Sequence, residues 1–251
     1  QVPHLFVMVI GESASRRHHS LYGYGRNTNP KLAKRKDLMI YTDAISPYSG
    51  TLKSVLAMMT ESDIINHKPV DRCISLIDVF ASAGFQTCWI SNQSPIGVWD
   101  NAIFNLSRTA DVYECVNAAG NSSFESTYTA SYDEEVLEPF QNAVNENTNN
   151  KFIIVHLLGS HSLYEKRYPS SFSHFTKSTN RKEEVINHYD NSIVYTDFIL
   201  DSLLNTLQHY AQSHDNAVAS LLYVSDHGEN VYDEGEEAGH NFSGHLPNAN
   251  I

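Results

Sequence analysis

Three scarcities narrow the field before any motif is read. Basic residues are few: 17 Lys and Arg stand against 29 Asp and Glu, for a formal net charge of −12. A nucleic-acid binder ordinarily carries a basic face, so this balance argues against nucleic acid as a partner. It does not exclude an anionic substrate, because a bound metal reverses the sign of the local field. Cysteine is scarce as well. Cys73, Cys88 and Cys115 are the three in the chain, and none forms a C-x-x-C pair, which argues against a cysteine-built zinc site. Long apolar runs are absent. The longest, Leu5–Ile10 and Phe152–Leu158, have the length of strands and fall well short of the roughly 20 residues of a membrane-spanning helix. No internal repeat, low-complexity tract or signal peptide is visible.

What is present suits one large α/β domain over residues 1–251, with 41% hydrophobic and 18% charged residues, enough for a packed core. Apolar runs alternate with helical patterns, which is the signature of a largely parallel sheet covered by helices. Strands are expected at Leu5–Ile10, Met39–Ile45, Gln86–Ser91, Phe152–Leu158 and Ser220–Ser225. Helices are expected at Leu52–Met59, Ile74–Ala83, Tyr132–Asn145 and Glu183–Tyr210. In the last, Asp197 and Asp201 interrupt the apolar stripe. Gly84 follows Ala83 as a helix cap. The chain opens almost directly on a strand and stops a few residues after His240, so further sequence is expected at both ends.

Chemistry collects where strands end. Leu5–Ile10 runs into Gly11-Glu12-Ser13, and Met39–Ile45 precedes Ser49-Gly50-Thr51. Phe152–Leu158 runs into Gly159-Ser160-His161, and Ser220–Ser225 into Asp226-His227-Gly228-Glu229. Open α/β sheets place ligands at the carboxyl ends of their strands. Asp226 and His227 offer a carboxylate oxygen and an imidazole nitrogen, both ordinary zinc ligands; the alternative is a turn with a surface histidine. A carboxylate at Glu12 needs a partner after an apolar strand, either a metal or Arg16 or Arg17. Thr51 opens a helical pattern, where it is either an N-cap or a nucleophile beside a phosphate held at the helix N-terminus. His161 and His240 are further candidates, with His245 competing with His240, and each has a surface or packed alternative. His18-His19 reads as a surface or loop pair.

Taken together, Gly11-Glu12-Ser13-Ala14-Ser15-Arg16, Leu21-Tyr22-Gly23-Tyr24, Arg26-Asn27-Thr28-Asn29-Pro30, Ser49-Gly50-Thr51, Gly159-Ser160-His161 with Tyr164, Arg167, Tyr168 and Pro169, and Asp226-His227-Gly228-Glu229 stand in a telling order. This order resembles that of the bacterial phosphoethanolamine transferases, members of the alkaline phosphatase and sulfatase superfamily. That family includes lipid A and core-sugar modifying enzymes and the colistin (polymyxin) resistance enzymes. The resemblance implies an α/β/α sandwich of alkaline phosphatase type with a largely parallel central sheet. It implies that Glu12, Thr51, Asp226 and His227 hold zinc, that Thr51 is the nucleophile, and that His161 and His240 contact the transferred phosphoryl group or a second zinc. Asn92 and Ser94 fall where the family binds the donor head group. The implied donor is phosphatidylethanolamine and the implied acceptor lipopolysaccharide, either a lipid A phosphate or a core heptose. The implied location is the inner membrane, reached through N-terminal helices, with the catalytic domain in the periplasm. A periplasmic setting leads to the expectation of at most one disulfide, Cys88 with Cys115 or Cys73 with Cys115. Two positions depart from the family pattern: no cysteine lies near Thr51, and Ser162 replaces a glycine. A phosphoglycerol transferase and a sulfatase are the enzyme rivals, and a catalytically dead binding protein is the other class.

Overall fold

The structure, a computed structural model, describes residues 2–94, 101–117 and 132–239. Its centre is a five-stranded sheet of order β3-β2-β4-β1-β5, formed by β1 (His4–Gly11), β2 (Gln86–Ser91), β3 (Val112–Cys115), β4 (Asn150–His156) and β5 (Val218–Ser225). Every pairing in it is parallel. A two-stranded antiparallel ribbon, β6 (Asn230–Val231) with β7 (Ala238–Gly239), follows β5.

Alternation along the central strands divides the core into two layers. Leu5, Val7, Val9, Ile153 and Val155 face α4 (Leu137–Asn145) and α5 (Arg181–Ser213), where Phe140, Val144, Tyr195, Ile199 and Leu203 meet them. Met8, Ile10, Phe152, Ile154 and Trp89 face the other way, onto α1 (Thr51–Met59), α2 (Leu76–Ser82) and α3 (Asn101–Ser107). Strands buried on both faces read as continuous apolar runs, which is why β1, β2 and β4 were legible. This is the expected α/β/α sandwich.

The long helix is longer than its apolar stripe suggests. Asn180 caps it by accepting from Glu183 N at 2.9 Å, and it runs 33 residues. The two aspartates in its stripe are anchors. Asp197 accepts from Lys31 N and Leu32 N, at 2.8 and 3.1 Å, and Asp201 pairs with Arg35. Gly84 stops α2 in a left-handed conformation (φ 84°), with Gly84 N donating to Ala81 O and Phe85 N to Phe80 O. At the start of the Tyr132–Asn145 pattern, Asp133–Val136 forms a 3₁₀ turn before α4 begins.

Three expectations are corrected. Met39–Ile45 is an exposed loop, not a strand: Met39 is 78% and Ile45 65% accessible. Apolar and β-branched composition does not make a strand without a ladder to join, and within this segment only Ile45 makes a single β-bridge. His18 and His19 are buried, not at the surface, because polar partners receive both rings: Asp190 and Asp233 for His18, Asn29 for His19. All three cysteines are free thiols. The register sets Cys88 opposite Val112 and Cys115 opposite Ser91, so the two sulfurs' residues lie three positions apart along neighbouring strands. At about 3.3 Å per residue that offset exceeds the span a disulfide bridges. The short β3, helix α3 and the ribbon had no matching expectation.

Candidate metal centre and active site

β1 and β5 are neighbours, so the residues that follow them meet. Asp226 N donates to Gly11 O at 3.0 Å, which continues the ladder one step past the strands. Beyond that step both chains turn. Ser13 adopts a left-handed conformation (φ 55°), and its N–H donates to Asp226 Oδ1 at 3.1 Å. Asp226 Oδ1 also accepts from His227 N at 2.7 Å. Tyr189 of α5 pins the first turn, accepting from Ser15 N at 2.8 Å and donating to Ser13 O at 2.6 Å. Ser225 pins the second, accepting from Ala14 N and donating to His227 O. The loop after β4 closes the third side. Ser160 N donates to Glu12 O, and Gly159 (φ 53°) lies so close that a Cβ there would sit 2.7 Å from Glu12 O. Only glycine fits that approach.

These turns bring Glu12, Asp226 and His227 together, all three essentially inaccessible to solvent, with one ligand atom from each lying within 4.8 Å of the others. His227 Nδ1 donates to Gly228 O at 2.7 Å, so the Nε2 edge of the ring faces Glu12 Oε1 at 3.2 Å and Asp226 Oδ2 at 3.5 Å. Such an anchored imidazole is the usual arrangement of a metal ligand. Asp226 Oδ2 is buried without a hydrogen-bond donor. Neither Arg16 nor Arg17 reaches Glu12: Arg17 pairs with Glu234, and Arg16 donates to Thr42 O.

Thr51 completes the group. It is the first residue of α1, and the N-cap is Gly50, with no side-chain capping bond. The Thr51 hydroxyl therefore does not cap its helix. It donates to Glu12 Oε2 at 3.0 Å, while Ser13 Oγ donates to Glu12 Oε1 at 2.7 Å. Thr51 reaches this point from the exposed 39–50 loop, not from a strand end. Ser46 steadies that loop by donating to Asp226 O at 2.7 Å.

The electrostatics are unbalanced without a cation. Burial raises Asp226 well above the carboxylate range and the Glu12 charge pushes it further. Burial also opposes the charge on Glu12, but the hydrogen bond and charge of His227 outweigh it and hold Glu12 well below that range. Burial opposes protonation of His227, yet Asp226 and Glu12 raise it to about 10. Two carboxylates this close ionise together only beside a positive charge. A divalent ion among Glu12, Asp226, His227 and the Thr51 oxygen supplies one. Oxygen and imidazole donors without thiolate suit zinc and its neighbours in the transition series.

His161, half-buried after the Gly159 turn, lies at the edge of this group, and its charge acts on Glu12. Asn92 is buried beneath it: its amide donates to Asp133 Oδ1 at 2.9 Å, and Asp133 in turn accepts from Leu158 N and Gly159 N. In this structure Asn92 therefore shapes the His161 turn through Asp133. Ser94 lines a cleft that also contains Thr51. His240 and His245 lie outside the described residues. Sequence reasoning passed over Ser13, whose signal was its place in Gly-Glu-Ser. Gln93, which stands between Asn92 and Ser94 in the head-group match, has an amide that donates to Leu157 O at 2.8 Å and to Glu12 Oε2 at 3.4 Å. Tyr189 gave no signal beyond being one more aromatic in a helix.

Comparison with known proteins follows from this geometry. The sulfatase family profile matches residues 4–249. The phosphoethanolamine transferase EptC of Escherichia coli strain K12 is 34% identical over 246 residues, which cover 92% of this chain and 40% of that protein. The chain thus spans less than half of that relative's length. The crystal structure of the C-terminal periplasmic domain of E. coli EptC, in complex with Zn, superposes with a TM-score of 0.84 at 31% identity, covering 96% of this chain and 69% of that one. The corresponding domain of EptC from Campylobacter jejuni superposes with a TM-score of 0.79 at 26% identity, covering 99% and 77%. With its parallel sheet, its strand-end carboxylates and histidine and its family match in agreement, the chain belongs to the sulfatase family, and its likeness there is to the phosphoethanolamine transferases.

Proposed function

We propose that this domain transfers phosphoethanolamine from phosphatidylethanolamine to lipopolysaccharide through a covalent intermediate on Thr51, with zinc held by Glu12, Asp226, His227 and the Thr51 oxygen. The observation that carries the reading is the Thr51 hydroxyl. It stands at the start of a nine-residue helix, does no capping, and donates to a buried carboxylate of a three-residue metal cluster.

In the first step the Thr51 oxygen bonds to phosphorus as its hydroxyl proton leaves towards Glu12. The bond from phosphorus to the diacylglycerol oxygen breaks, and that oxygen takes up the proton released by Thr51, so diacylglycerol departs as a neutral alcohol. In the second step an acceptor hydroxyl or phosphate oxygen bonds to phosphorus, the bond to Thr51 breaks, and Thr51 regains its proton. Bound zinc supplies charge that favours the Thr51 alkoxide and the phosphoryl oxygens. The α1 N-terminus adds unpaired N–H groups aimed at the same place. His161, and His240 beyond it in sequence, are proposed to contact the phosphoryl group, with Ser94 and the Asn92 turn on the head-group side. The proposed setting is the periplasmic face of the bacterial inner membrane. No helix among the described residues is long and apolar enough to span a membrane.

Replacing the nucleophile tests this. Thr51→Ala is expected to fold and to abolish transfer in the full-length membrane form, while Thr51→Ser retains part of it. A folded Thr51→Ala protein that transfers phosphoethanolamine at near the parent rate would overturn the reading.

A further inference from the structure

β4 opens on Asn150 and Lys151, is apolar from Phe152 to Val155 and ends on His156. Phe152 and Ile154 point into the layer beneath α1, and two residues on the same face later stands His156. It is 1% accessible, lies edge-on to Trp89 at 6.0 Å between ring centroids, and its Nε2 has no hydrogen-bond partner. Burial lowers its pKa to about 4 against the pull of the Glu12 charge, so the ring is neutral at pH 7. A buried polar atom without a partner costs free energy that a leucine in the same layer would avoid.

His156 is not enclosed by protein on every side. It lines a cleft whose other walls include Thr51, Ser94, Trp89, Phe104 and Tyr113. The cleft leaves about 20 Å³ for the centre of a water-sized sphere, room for one group the size of a water molecule or an ammonium. The described lining contains no formally charged side chain. The nearby Arg108 guanidinium lies against the Phe104 and Tyr113 rings at 5.9 and 5.8 Å, so these rings already have a cation partner and do not form a vacant aromatic cage. What the cleft offers a ligand is one neutral imidazole nitrogen, hydroxyl groups, the Gln93 carboxamide and a narrow floor that opens beside Thr51.

We propose that this cleft selects the terminal primary ammonium of the group carried by Thr51, and that His156 Nε2 is the specificity-determining acceptor of its hydrogen bond. The inference rests on the phosphoethanolamine reading above and adds the residue that distinguishes ethanolamine from other head groups. A charge-assisted bond from ammonium to imidazole is stronger than one from a neutral hydroxyl. A trimethylammonium group has no proton to donate and exceeds the space.

The test uses the zinc-loaded full-length protein with phosphatidylethanolamine, phosphatidylglycerol and phosphatidylcholine as separate donors. Diacylglycerol release gives kcat and KM, and the mass of the Thr51 peptide identifies the bound group. The parent is expected to prefer ethanolamine over glycerol by roughly ten- to hundredfold in kcat/KM and to leave choline untouched. His156→Leu should melt at or above the parent temperature. It should lose that same factor with the ethanolamine donor only, so that the preference disappears. His156→Gln, which keeps an acceptor, should recover part of it. A His156→Leu protein that keeps the parent's preference sinks this inference and leaves the functional reading standing. So does an equal loss with both donors accompanied by a lower melting temperature, which marks a structural role. A parent that forms no adduct from any donor overturns the functional reading itself, and this inference with it.

Discussion

Removing one charge from the metal cluster should change stability in opposite directions with and without the ion. Asp226→Asn is the cleanest perturbation, because the amide oxygen can still accept from Ser13 N and His227 N, the two bonds that Asp226 Oδ1 accepts now. Only Oδ2 is altered, and Oδ2 is the buried atom that faces His227 and lacks a donor. Asp226 is pushed well above its usual range by burial first and the Glu12 charge second. A carboxyl raised in the folded state favours folding at low pH and costs stability as pH rises through the folded value. Metal-free protein at neutral pH therefore bears that cost, and Asp226→Asn relieves it. In the presence of zinc the order reverses. An ion at about a thousand times its dissociation constant contributes about 4 kcal/mol to the stability of a protein that binds it only when folded. With unfolding entropy near 2.1 cal/mol/K per residue, a chain of this length shifts by roughly 2 °C for each kcal/mol, so saturating zinc should raise the parent's melting temperature by about 8 °C. Asp226→Asn should gain less than about 2 °C from zinc, yet melt no lower than the parent after chelation. Differential scanning fluorimetry of chelated and zinc-loaded samples, with metal content measured in parallel, gives both numbers. If the variant gains as much from zinc as the parent, the ligand assignment is wrong. If the chelated variant melts far below the chelated parent, the electrostatic argument is wrong.

Two other sites give independent checks. Gly159→Ala places a Cβ 2.7 Å from Glu12 O in a backbone with φ 53°, so it should cost about 2 kcal/mol or more of stability and weaken zinc retention, read by melting and by metal analysis; retention of both at parent levels would show that this turn does not set the position of Glu12. Burial disfavours the His18 cation, but bonds to Asp190 and then Asp233 raise its pKa to about 9, so its favourable contribution is complete below about pH 6.5 and disappears as pH rises through 9. Between those limits the zinc-loaded parent should lose up to about 3 kcal/mol that His18→Gln never had, and parallel pH–stability curves for the two proteins would refute the assignment.

The fold was legible wherever one signal decided it. β1, β2 and β4 are buried on both faces, so composition alone marks them. Thr51 and the pair Asp226-His227 were singled out because they stand at or near expected strand ends and because their neighbours carry a recognisable order, and the structure brings them together at Glu12. Met39–Ile45 misled for the opposite reason: it has strand composition, but strand formation depends on a partner elsewhere in the chain, which local sequence does not encode. His18 was hidden in a run of polar residues because its burial depends on Asp190, 172 positions away. His156 was hidden because a single histidine inside the apolar run Phe152–Leu158 reads as part of the run, and only the packed structure shows its ring lining a cleft beside Thr51.

The long helix explains why a site built on loops holds its shape. Glu12, Asp226 and His227 all lie past the ends of their strands, where the sheet no longer constrains the backbone. Catalytic geometry tolerates little looseness, so something rigid must replace the ladder. α5 does this with polar side chains placed within an otherwise apolar face. Tyr189 fixes the turn after Glu12 by two hydrogen bonds. One residue on, Asp190 holds His18, Tyr24 and Arg26 of the same loop. Asn191 accepts from His174 N and Phe175 N, and Asp197 from Lys31 N and Leu32 N. Through His18, the helix also reaches Asp233 in the segment that follows His227. Asp190, Asn191 and Asp197 each weaken the amphipathic pattern by which a helix is recognised in sequence, and each has a backbone or charged partner that offsets its burial. The irregularity of the stripe is thus the sequence trace of the site itself. A helix that only filled the core would show a cleaner pattern and would leave Glu12, Asp226 and His227 on untethered loops.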